Sequence, residues 1–481
     1  MSKVVIIGID GLDPFLIERW RDVLPNFKSM YNKLSEIIIE STFPPDSICA
    51  WASIFTGENP AEHGLIESID YLSNNRKAKN NDNSSHIKGR TFWDKAGANG
   101  KSVCVINPFI AYPAWNVNGI MVSGPVFEGG ETTAYPDSII HEYKFPSLGG
   151  MVDFPDEKDL GQFQNNTKDL TARLAEVSLE IYKDRKHDLF FLTFLTLDRI
   201  KHFFWRFMDE TDIYYPGDNP FKYVIKDFYI LFDEIIGNFL KFMDGDSVLI
   251  VISDHGHRRR CSLSLNLNEI MRQEGYLSTA VSGPSGVVKK MIEKTKVFTL
   301  RSLSDLGLQD WTYRIAKYVP NRKALKKSTY LINHERSRVT LANICGSNPY
   351  GGLNVSAAGE EYESLRNNVI RELLAINNSL GKNVIEWAKK RELIYKGKYE
   401  NRFPDILFQL NEDYGVGMDL FTKPITKNYS HKKISGGHKR EAVLLRYPDN
   451  NRKNTQCPDS IIGLKDYILK ILFAEQRIED N

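Results

Sequence analysis

The sequence predicts an α/β fold with a mostly parallel central sheet, helices on both faces and an inserted helical cap. Three aliphatic runs carry this prediction, because each has the continuous apolar character of a strand that is buried on both faces. They span 3–9, 188–197 and 247–253, helical patterns alternate with them, and each run leads into an aspartate. Since ligands collect where parallel strands end, we expect three carboxylates on one edge of the sheet, from Asp10, Asp198 and Asp254.

Composition limits the possible classes of protein. Of 481 residues, 42% are hydrophobic and 26% are charged, which is the balance of a soluble globular protein. The formal net charge of +2 gives no argument for binding nucleic acid or a membrane surface. The five cysteines are odd in number and form no paired motif, so we expect reduced thiols. With no signal-peptide core and no apolar run long enough to span a bilayer, the predicted location is cytoplasmic.

The order of elements suggests two core segments around an insertion. We expect a first part of the catalytic core at 1–258, an inserted cap at 259–335 that is basic and helical, and the rest of the core at 336–481. Helices are predicted at 92–98, 167–185, 223–243, 265–275, 360–374 and 459–473. Further strands are predicted at 102–106, 119–122, 339–342, 352–355, 404–410 and 442–445, and a glycine-containing loop at 431–438.

The stretch 43–64 places a hydroxyl residue at the start of a predicted helix. Pro44 and Pro45 favour an extended approach, and Ser47 opens a compact apolar run that ends at Gly57. A serine at a helix N-terminus lies where free backbone amides and the helix dipole favour a phosphate group. The alternative reading, a serine that only caps the helix, applies if this stretch is considered alone.

Carboxylates and histidines recur at spacings that suit metal ions. Asp198 and His202 are one helical turn apart, and Asp254 and His255 are adjacent at a strand end. With Asp10 and one distant histidine they could fill two sites, one rich in histidine and suited to zinc, the other harder and tolerant of zinc, manganese or magnesium. Two ions about 4 Å apart stabilise phosphoryl transfer and lower the pKa of a bound hydroxyl, which would make Ser47 a nucleophile.

These motifs resemble the alkaline phosphatase superfamily, in its type I phosphodiesterase and nucleotide pyrophosphatase branch. The resemblance rests on T-G-x-x-P-x-x-H-G at 56–64, Asp-x-x-x-His at 198–202, Asp-His-Gly at 254–256 and Gly-x-His at 436–438. It extends over nearly the whole chain except about 278–335, and it implies an alkaline-phosphatase-like fold.

The resemblance also implies a site and a reaction. One divalent ion would be held by Asp198, His202 and His438, and the other by Asp10, Asp254 and His255, with Ser47 bridging toward the phosphorus. Zinc is expected first, with manganese or magnesium as alternatives. The implied activity is hydrolysis of phosphodiester or pyrophosphate bonds through a covalent phospho-enzyme on the serine.

Several positions depart from the family pattern. Serine stands where this branch more often has threonine, and Ala50 stands where the animal nucleotide pyrophosphatases have asparagine, so nucleotide preference is not carried over. No Cys-x-Pro-x-Arg motif is present, which disfavours a sulfatase. Another group must then neutralise the phosphoryl oxygens, and the candidates are Lys201, His257 and Arg258. Trp51 and His63 are predicted to pack around the nucleophile turn.

Other functions are less consistent with the sequence. A serine acyl hydrolase is disfavoured because no G-x-S-x-G motif occurs, and a non-catalytic binding protein is disfavoured because all six metal-ligand positions are filled. A phosphomonoesterase or phosphonate-ester hydrolase on the same site stays open. We expect a small-molecule phosphate ester as the substrate, whose second substituent would rest on Trp311, Tyr313 and Tyr318 of the cap. The oligomeric state is not predicted.

Overall fold

The computed structural model describes residues 4–65, 84–126, 130–149, 154–279, 331–342, 344–428, 430–448 and 456–474, and positions 291, 295 and 302. Most of the predicted cap, with Trp311, Tyr313 and Tyr318, lies outside the described residues. The strands are β1 Val4–Ile9, β2 Ile38–Glu40, β3 Val103–Ile106, β4 Gly119–Ser123, β5 Thr133–Tyr135, β6 Leu189–Phe194, β7 Val248–Ile252, β8 Gly256–Arg259, β9 Leu263–Asn266, β10 Val339–Ala342, β11 Tyr350–Val355, β12 Ile385–Lys390, β13 Ile406–Leu410, β14 Tyr414–Gly417, β15 Ile425–Lys427, β16 Gly436–Lys439 and β17 Glu441–Tyr447.

The α-helices of the described residues are Pro14–Arg19, Pro25–Lys28, Ser47–Thr56, Pro60–His63, Ser84–Ile87, Phe92–Ala98, Ile139–Glu142, Leu160–Asp184, Thr196–Met208, Val224–Phe242, Leu267–Gln273, Gly359–Leu380 and Leu464–Leu472. Short 3-10 helices lie at Arg21–Val23, Leu34–Glu36, Glu157–Asp159, Arg391–Leu393, Glu400–Arg402 and Ile461–Gly463. We call Ser47–Thr56 the Ser47 helix and Thr196–Met208 the Asp198 helix. None of the helices in the described part of the chain has the length and apolar character that a bilayer crossing needs.

The central sheet has eight strands in the order β2-β17-β7-β1-β6-β3-β4-β5. The five strands from β7 to β4 are parallel to one another, whereas β17 and β5 pair antiparallel with their neighbours at the two sides. The first strand, β1, therefore lies between β6 and β7, the two other strands that lead into aspartates. The predicted α/β class with a mostly parallel sheet is confirmed.

Both faces of this sheet are covered, as its aliphatic strands require. Alternate side chains of β1 enter different cores: Val5 and Ile7 pack with the long helices Leu160–Asp184 and Val224–Phe242, and Val4 and Ile6 pack with the Ser47 helix. A Cβ atom on Gly8 of β1 would lie 2.7 Å from the indole of Trp51, so this glycine is needed for the close approach of that helix to the strand.

A second lobe follows the central sheet. Strands β10, β11, β13 and β12 form a four-stranded antiparallel sheet, and β9 pairs with β14 and β15. These strands share one hydrophobic core with the helices Leu267–Gln273 and Gly359–Leu380. The strands predicted around 339–355 and 404–410 exist, but they do not join the central sheet. The domain limits at 259 and 335 stay a prediction.

Three local predictions are wrong in detail. The run 188–197 is strand only to Phe194, because Leu195 turns into helical geometry and the Asp198 helix begins at Thr196. The segment predicted as a helix from 265 begins as the end of strand β9. The segment 431–438 is not all loop, since it ends in β16, which pairs antiparallel with β8. The periodicity of a short apolar run does not distinguish a strand from a buried helix. Glycines suggest loops wherever they occur in a sequence.

Candidate active site

Three strand ends bring the three predicted carboxylates together. Asp10 follows β1, Asp254 lies two residues beyond β7, and Asp198 lies in the first turn of the helix after β6. Gly11 connects them, since its backbone N–H donates to Asp254 Oδ1 at 3.0 Å. Its φ of +67° is in the left-handed region, and a Cβ there would lie 3.1 Å from Asp198 Oδ1. The expected edge of carboxylates is therefore present, and a glycine allows its close packing.

One half of the site, the carboxylate half-site, consists of Asp10, Asp254 and His255. His255 Nε2 lies 3.3 Å from Asp254 Oδ2 and 3.7 Å from Asp10 Oδ1. The Ser47 hydroxyl lies 3.1 Å from the same nitrogen and 3.5 Å from Asp10 Oδ1. The indole N–H of Trp51 donates to the other Asp10 oxygen at 3.1 Å, which fixes the orientation of this carboxylate. The serine thus lies against this half of the site.

The other half, the imidazole half-site, consists of Asp198, His202 and His438. His202 Nε2 lies 3.1 Å from Asp198 Oδ2, one turn earlier on the same helix. His438, on β16, places its Nε2 3.5 Å from Asp198 Oδ1 and 3.0 Å from His202 Nε2. The rings of His438 and His255 stack with centroids 3.9 Å apart, so the two halves are contiguous.

Hydrogen bonds to the backbone define the tautomers of these three histidines. The Nδ1 atoms of His255, His202 and His438 lie within 2.8–3.0 Å of carbonyl oxygens, those of Gly256, Gly436 and Pro45. A carbonyl only accepts, so Nδ1 carries the proton and the Nε2 lone pair points into the site. Two lone pairs that face each other and the carboxylates repel unless a cation lies between them. This is the arrangement of metal-binding histidines.

The charges of the site also call for a cation. Burial, together with the nearby Asp254 and Asp198 carboxylates, raises the pKa of Asp10 well above its usual range, and burial raises the pKa of Asp254 to about 7. Burial alone would raise the pKa of Asp198 too, but the adjoining imidazoles, His202 first, hold it well below its usual range. Three clustered carboxylates beside three imidazoles suit divalent ions. The residues present therefore fit two such ions, one in each half-site.

The turn into the Ser47 helix has the predicted form. The helix begins at Ser47 and ends at Thr56, with Asp46 Oδ1 accepting from Ile48 N at 3.1 Å and Gly57 in the left-handed region. The approach to the helix is fixed by two side chains from later in the chain. The hydroxyl of Tyr395, in the second lobe, donates to the Phe43 carbonyl, and His438 donates to the Pro45 carbonyl. The second lobe thus helps to position the serine.

The other predicted residues lie around this centre in different roles. Lys201 is fully buried and donates to the Gly11 carbonyl, and burial lowers its pKa to about 8. Arg258 donates to the Glu412 carbonyl and pairs with its carboxylate at 3.4 Å. His257 lies inside the site, 3.2 Å from Asp198 Oδ1.

The two residues that were expected only to pack behave differently. His63 is a packing residue: its Nε2 lies 3.1 Å from Ser53 Oγ, its Nδ1 accepts from Leu65 N, and burial lowers its pKa to about 3. Trp51 packs, but it also donates to Asp10, a role that the sequence analysis missed. The contact of Tyr395 was missed as well, because nothing in the sequence relates positions 43 and 395.

Comparison with known proteins agrees with this geometry. The family model of type I phosphodiesterase / nucleotide pyrophosphatase matches residues 4–436. The chain belongs to this family. It is therefore a phosphoric ester hydrolase of a metal-dependent family, in the alkaline phosphatase superfamily that the motifs indicated. A search of curated protein sequences finds no significant match.

Solved structures of other proteins are similar to this chain. Phosphonoacetate hydrolase from Sinorhizobium meliloti 1021, in complex with phosphonoformate, has 13% sequence identity and a TM-score of 0.55, over 98% of this chain and 96% of that chain. Human ectonucleotide pyrophosphatase / phosphodiesterase 5 has 12% identity and a TM-score of 0.47, over 98% of this chain and 95% of that chain. At 13% identity the likeness to phosphonoacetate hydrolase supports the fold alone.

Proposed function

We propose that this chain hydrolyses phosphodiester or pyrophosphate bonds with two divalent ions and Ser47 as the nucleophile. The observation that carries the proposal is the convergence of three imidazole Nε2 atoms and three carboxylates beside one serine hydroxyl. Asp198, His202 and His438 would hold one ion, and Asp10, Asp254 and His255 the other, with Ser47 Oγ next to the second. Zinc suits the imidazole half-site best, and manganese or magnesium is compatible with the carboxylate half-site.

The protein groups would act in two displacements. When bound, the ions would lower the pKa of the serine hydroxyl and offset charge on the phosphoryl oxygens. Ser47 Oγ gives up its proton to solvent and attacks phosphorus, the bond from phosphorus to the leaving oxygen breaks, the leaving oxygen takes up a proton from solvent, and the serine becomes a phosphate ester. Water then attacks the same phosphorus, the bond to Oγ breaks, and the serine is regenerated. The N-terminus of the Ser47 helix favours the negative phosphoryl group throughout.

A diester or pyrophosphate is favoured over a monoester by the cations of the site. A monoester dianion benefits from a fixed cation beside the two ions, as a guanidinium supplies. Of the two basic side chains other than histidine considered from the sequence, Lys201 is bound to the Gly11 carbonyl and Arg258 to Glu412. A diester carries one negative charge less at the reacting phosphorus and needs no such group.

The fold of phosphonoacetate hydrolase supports hydrolysis of phosphonates as a second candidate function. That protein shares the fold, and a phosphonate substrate would use the same ions and nucleophile, so hydrolysis of phosphonates is the alternative function. Hydrolysis of phosphate monoesters is the other alternative function.

Rates on matched substrates test the substrate class. A bis-aryl phosphate, the corresponding aryl phosphate, an aryl phosphonate and phosphonoacetate are compared at equal zinc loading, with Ser47→Ala as the blank. We expect the diester to exceed the monoester in kcat/KM by tenfold or more, which is about 1.4 kcal/mol of transition-state binding. A tenfold preference for the monoester would make the protein a phosphatase, and a preference for phosphonoacetate would favour the alternative.

A further inference from the structure

A third histidine lies at the imidazole half-site and is not among the residues implied by the family motifs. His257 is on β8, and β8 pairs antiparallel with β16 so that His257 lies directly opposite His438. Residues that face each other in an antiparallel pair have side chains on the same side of the sheet, with Cβ atoms about 5 Å apart. The register that presents His438 to Asp198 therefore presents His257 to it as well.

The distances show that His257 reaches the same point. Its Nδ1 lies 3.2 Å from Asp198 Oδ1, and its ring is edge-on to that of His202 with centroids 4.8 Å apart. The ligand atoms of Asp198, His202 and His257 all lie within 4.8 Å of one another. The ring stacks on Trp205, at 5.6 Å between centroids, which fixes its plane. A Cβ atom at Gly436 would lie 2.4 Å from His257 Nε2, so this glycine leaves the space that the ring occupies.

The hydrogen bonding of His257 is not that of a packing histidine. The side chain is fully buried, and the polar atom given next to its ring is Asp198 Oδ1, 3.2 Å from Nδ1, in a geometry that does not make a well-directed hydrogen bond for either atom. Buried polar groups are normally paired. His63 shows how this chain satisfies a packing histidine, since both of its ring nitrogens bond to neighbours. A ring nitrogen and a carboxylate oxygen that face each other without a well-directed hydrogen bond suit a shared cation.

We propose that His257 is a further ligand of the ion at the imidazole half-site, binding through Nδ1. This rests on the proposed two-ion function and adds to it: the ion would have one carboxylate and three imidazoles from the protein. Nε2 would then carry the proton against Gly436. A site with three neutral nitrogen ligands favours zinc over magnesium or manganese more strongly than a site with two. The consequence is a half-site that stays loaded with zinc when the other ion is exchanged.

The test is zinc affinity, measured on metal-free protein by competition with a chromophoric chelator. His257→Phe keeps a ring on Trp205 and removes both nitrogens, and we expect one of the two ions to bind tenfold or more weakly while the other is unchanged. His431→Phe is the matched control, because His431 is also fully buried beside an aspartate, Asp212, and belongs to neither half-site. It should leave both affinities unchanged.

A second readout is made on the wild-type protein. Wild-type protein with nitrogen-15 histidine is titrated with zinc, and the Nδ1 signal of His257, assigned by its loss in His257→Asn, should move to the metal-bound position. Two bound ions with an unmoved His257 signal, or an unchanged affinity in a folded His257→Phe, would overturn the role of His257 alone. A wild-type chain that binds fewer than two ions would overturn the proposed function, and the role of His257 with it.

Discussion

The two half-sites reach the same point from different parts of the fold. The carboxylate half-site comes from the ends of two neighbouring parallel strands, and its side chains are at most 5% exposed. The imidazole half-site comes from one helix and from a two-stranded sheet near the C-terminus, and its side chains are between 12% and 19% exposed. One half is thus part of the buried sheet edge, whereas the other is assembled at the rim.

The difference concerns charge as well as depth. Two carboxylates and one imidazole form the carboxylate half-site, which is the deep half. One carboxylate lies among imidazoles in the imidazole half-site, which is the rim half. Burial raises the pKa of Asp10 and Asp254, while imidazoles lower the pKa of Asp198. We infer that the deep half needs a cation to keep its carboxylates ionised and accepts hard ions, and that the rim half selects zinc through nitrogen ligands.

The largest expected effect is on the serine beside the carboxylate half-site. Ser47→Ala should lower turnover by about a thousandfold or more, because it removes the attacking oxygen and leaves the ligands in place. Steady-state rates and metal content of the same preparation are the measurements. Ser47→Thr is the control and should stay within about tenfold of wild type, since it keeps the hydroxyl. Near-normal turnover of the alanine variant would mean that water, and not the serine, attacks phosphorus.

Substituting one ligand in each half-site tests whether the two ions bind independently. Asp10→Asn and His438→Gln should each weaken the binding of one ion by about a hundredfold or more and leave the other ion bound. With manganese supplied after zinc, wild-type protein should exchange the ion of the deep half first, and Asp10→Asn should abolish that exchange while His438→Gln should not. The two halves would not be separate sites if either variant lost both ions together.

A smaller effect is expected from the indole that orients the deep carboxylate. Trp51→Phe removes the N–H that donates to Asp10 Oδ2, and it should weaken the binding of the ion in that half-site by about tenfold. Trp93→Phe is a close control, because Trp93 is also fully buried and its indole nitrogen has no described hydrogen-bond partner. Equal effects of the two substitutions on zinc affinity would reduce Trp51 to a packing role.

The smallest expected effect lies outside both halves, at the contact of the second lobe. Tyr395→Phe removes the hydroxyl that donates to the Phe43 carbonyl and should lower the free energy of unfolding by about 1 kcal/mol. It should also lower kcat severalfold without changing metal content, because the approach to Ser47 becomes less fixed. Tyr362→Phe removes a hydroxyl that donates to Asp405 in the same lobe and should change stability but not kcat. Equal kcat values for both variants would contradict a positioning role.

The sequence predicted the deep half better than the rim half, for a physical reason. Three buried strands followed by aspartates imply a shared edge without further information, and the Ser47 helix has end signals that local chemistry determines. His438 entered only through resemblance, because its place depends on the pairing of β16 with β8. That pairing was missed, since glycines at 436 and 437 suggested a loop. The same register places His257, which the sequence left as one of three candidates.

Contacts between distant segments could not be predicted from the sequence for the same reason. The bond from Tyr395 to Phe43 joins positions in different lobes, and the four-stranded sheet was assigned to the core because its strands look like those of the central sheet. Strand type follows from local pattern, whereas sheet membership follows from long-range pairing.

The most direct test of two separate half-sites around one nucleophile is the metal content of the purified chain. Protein freed of metal and then equilibrated with zinc, and separately with manganese, is analysed for bound metal per chain after removal of the excess. The account predicts two zinc ions in wild type and in Ser47→Ala, and one in Asp10→Asn and in His438→Gln. A wild-type content that stays at one or zero under saturating zinc and manganese would contradict it.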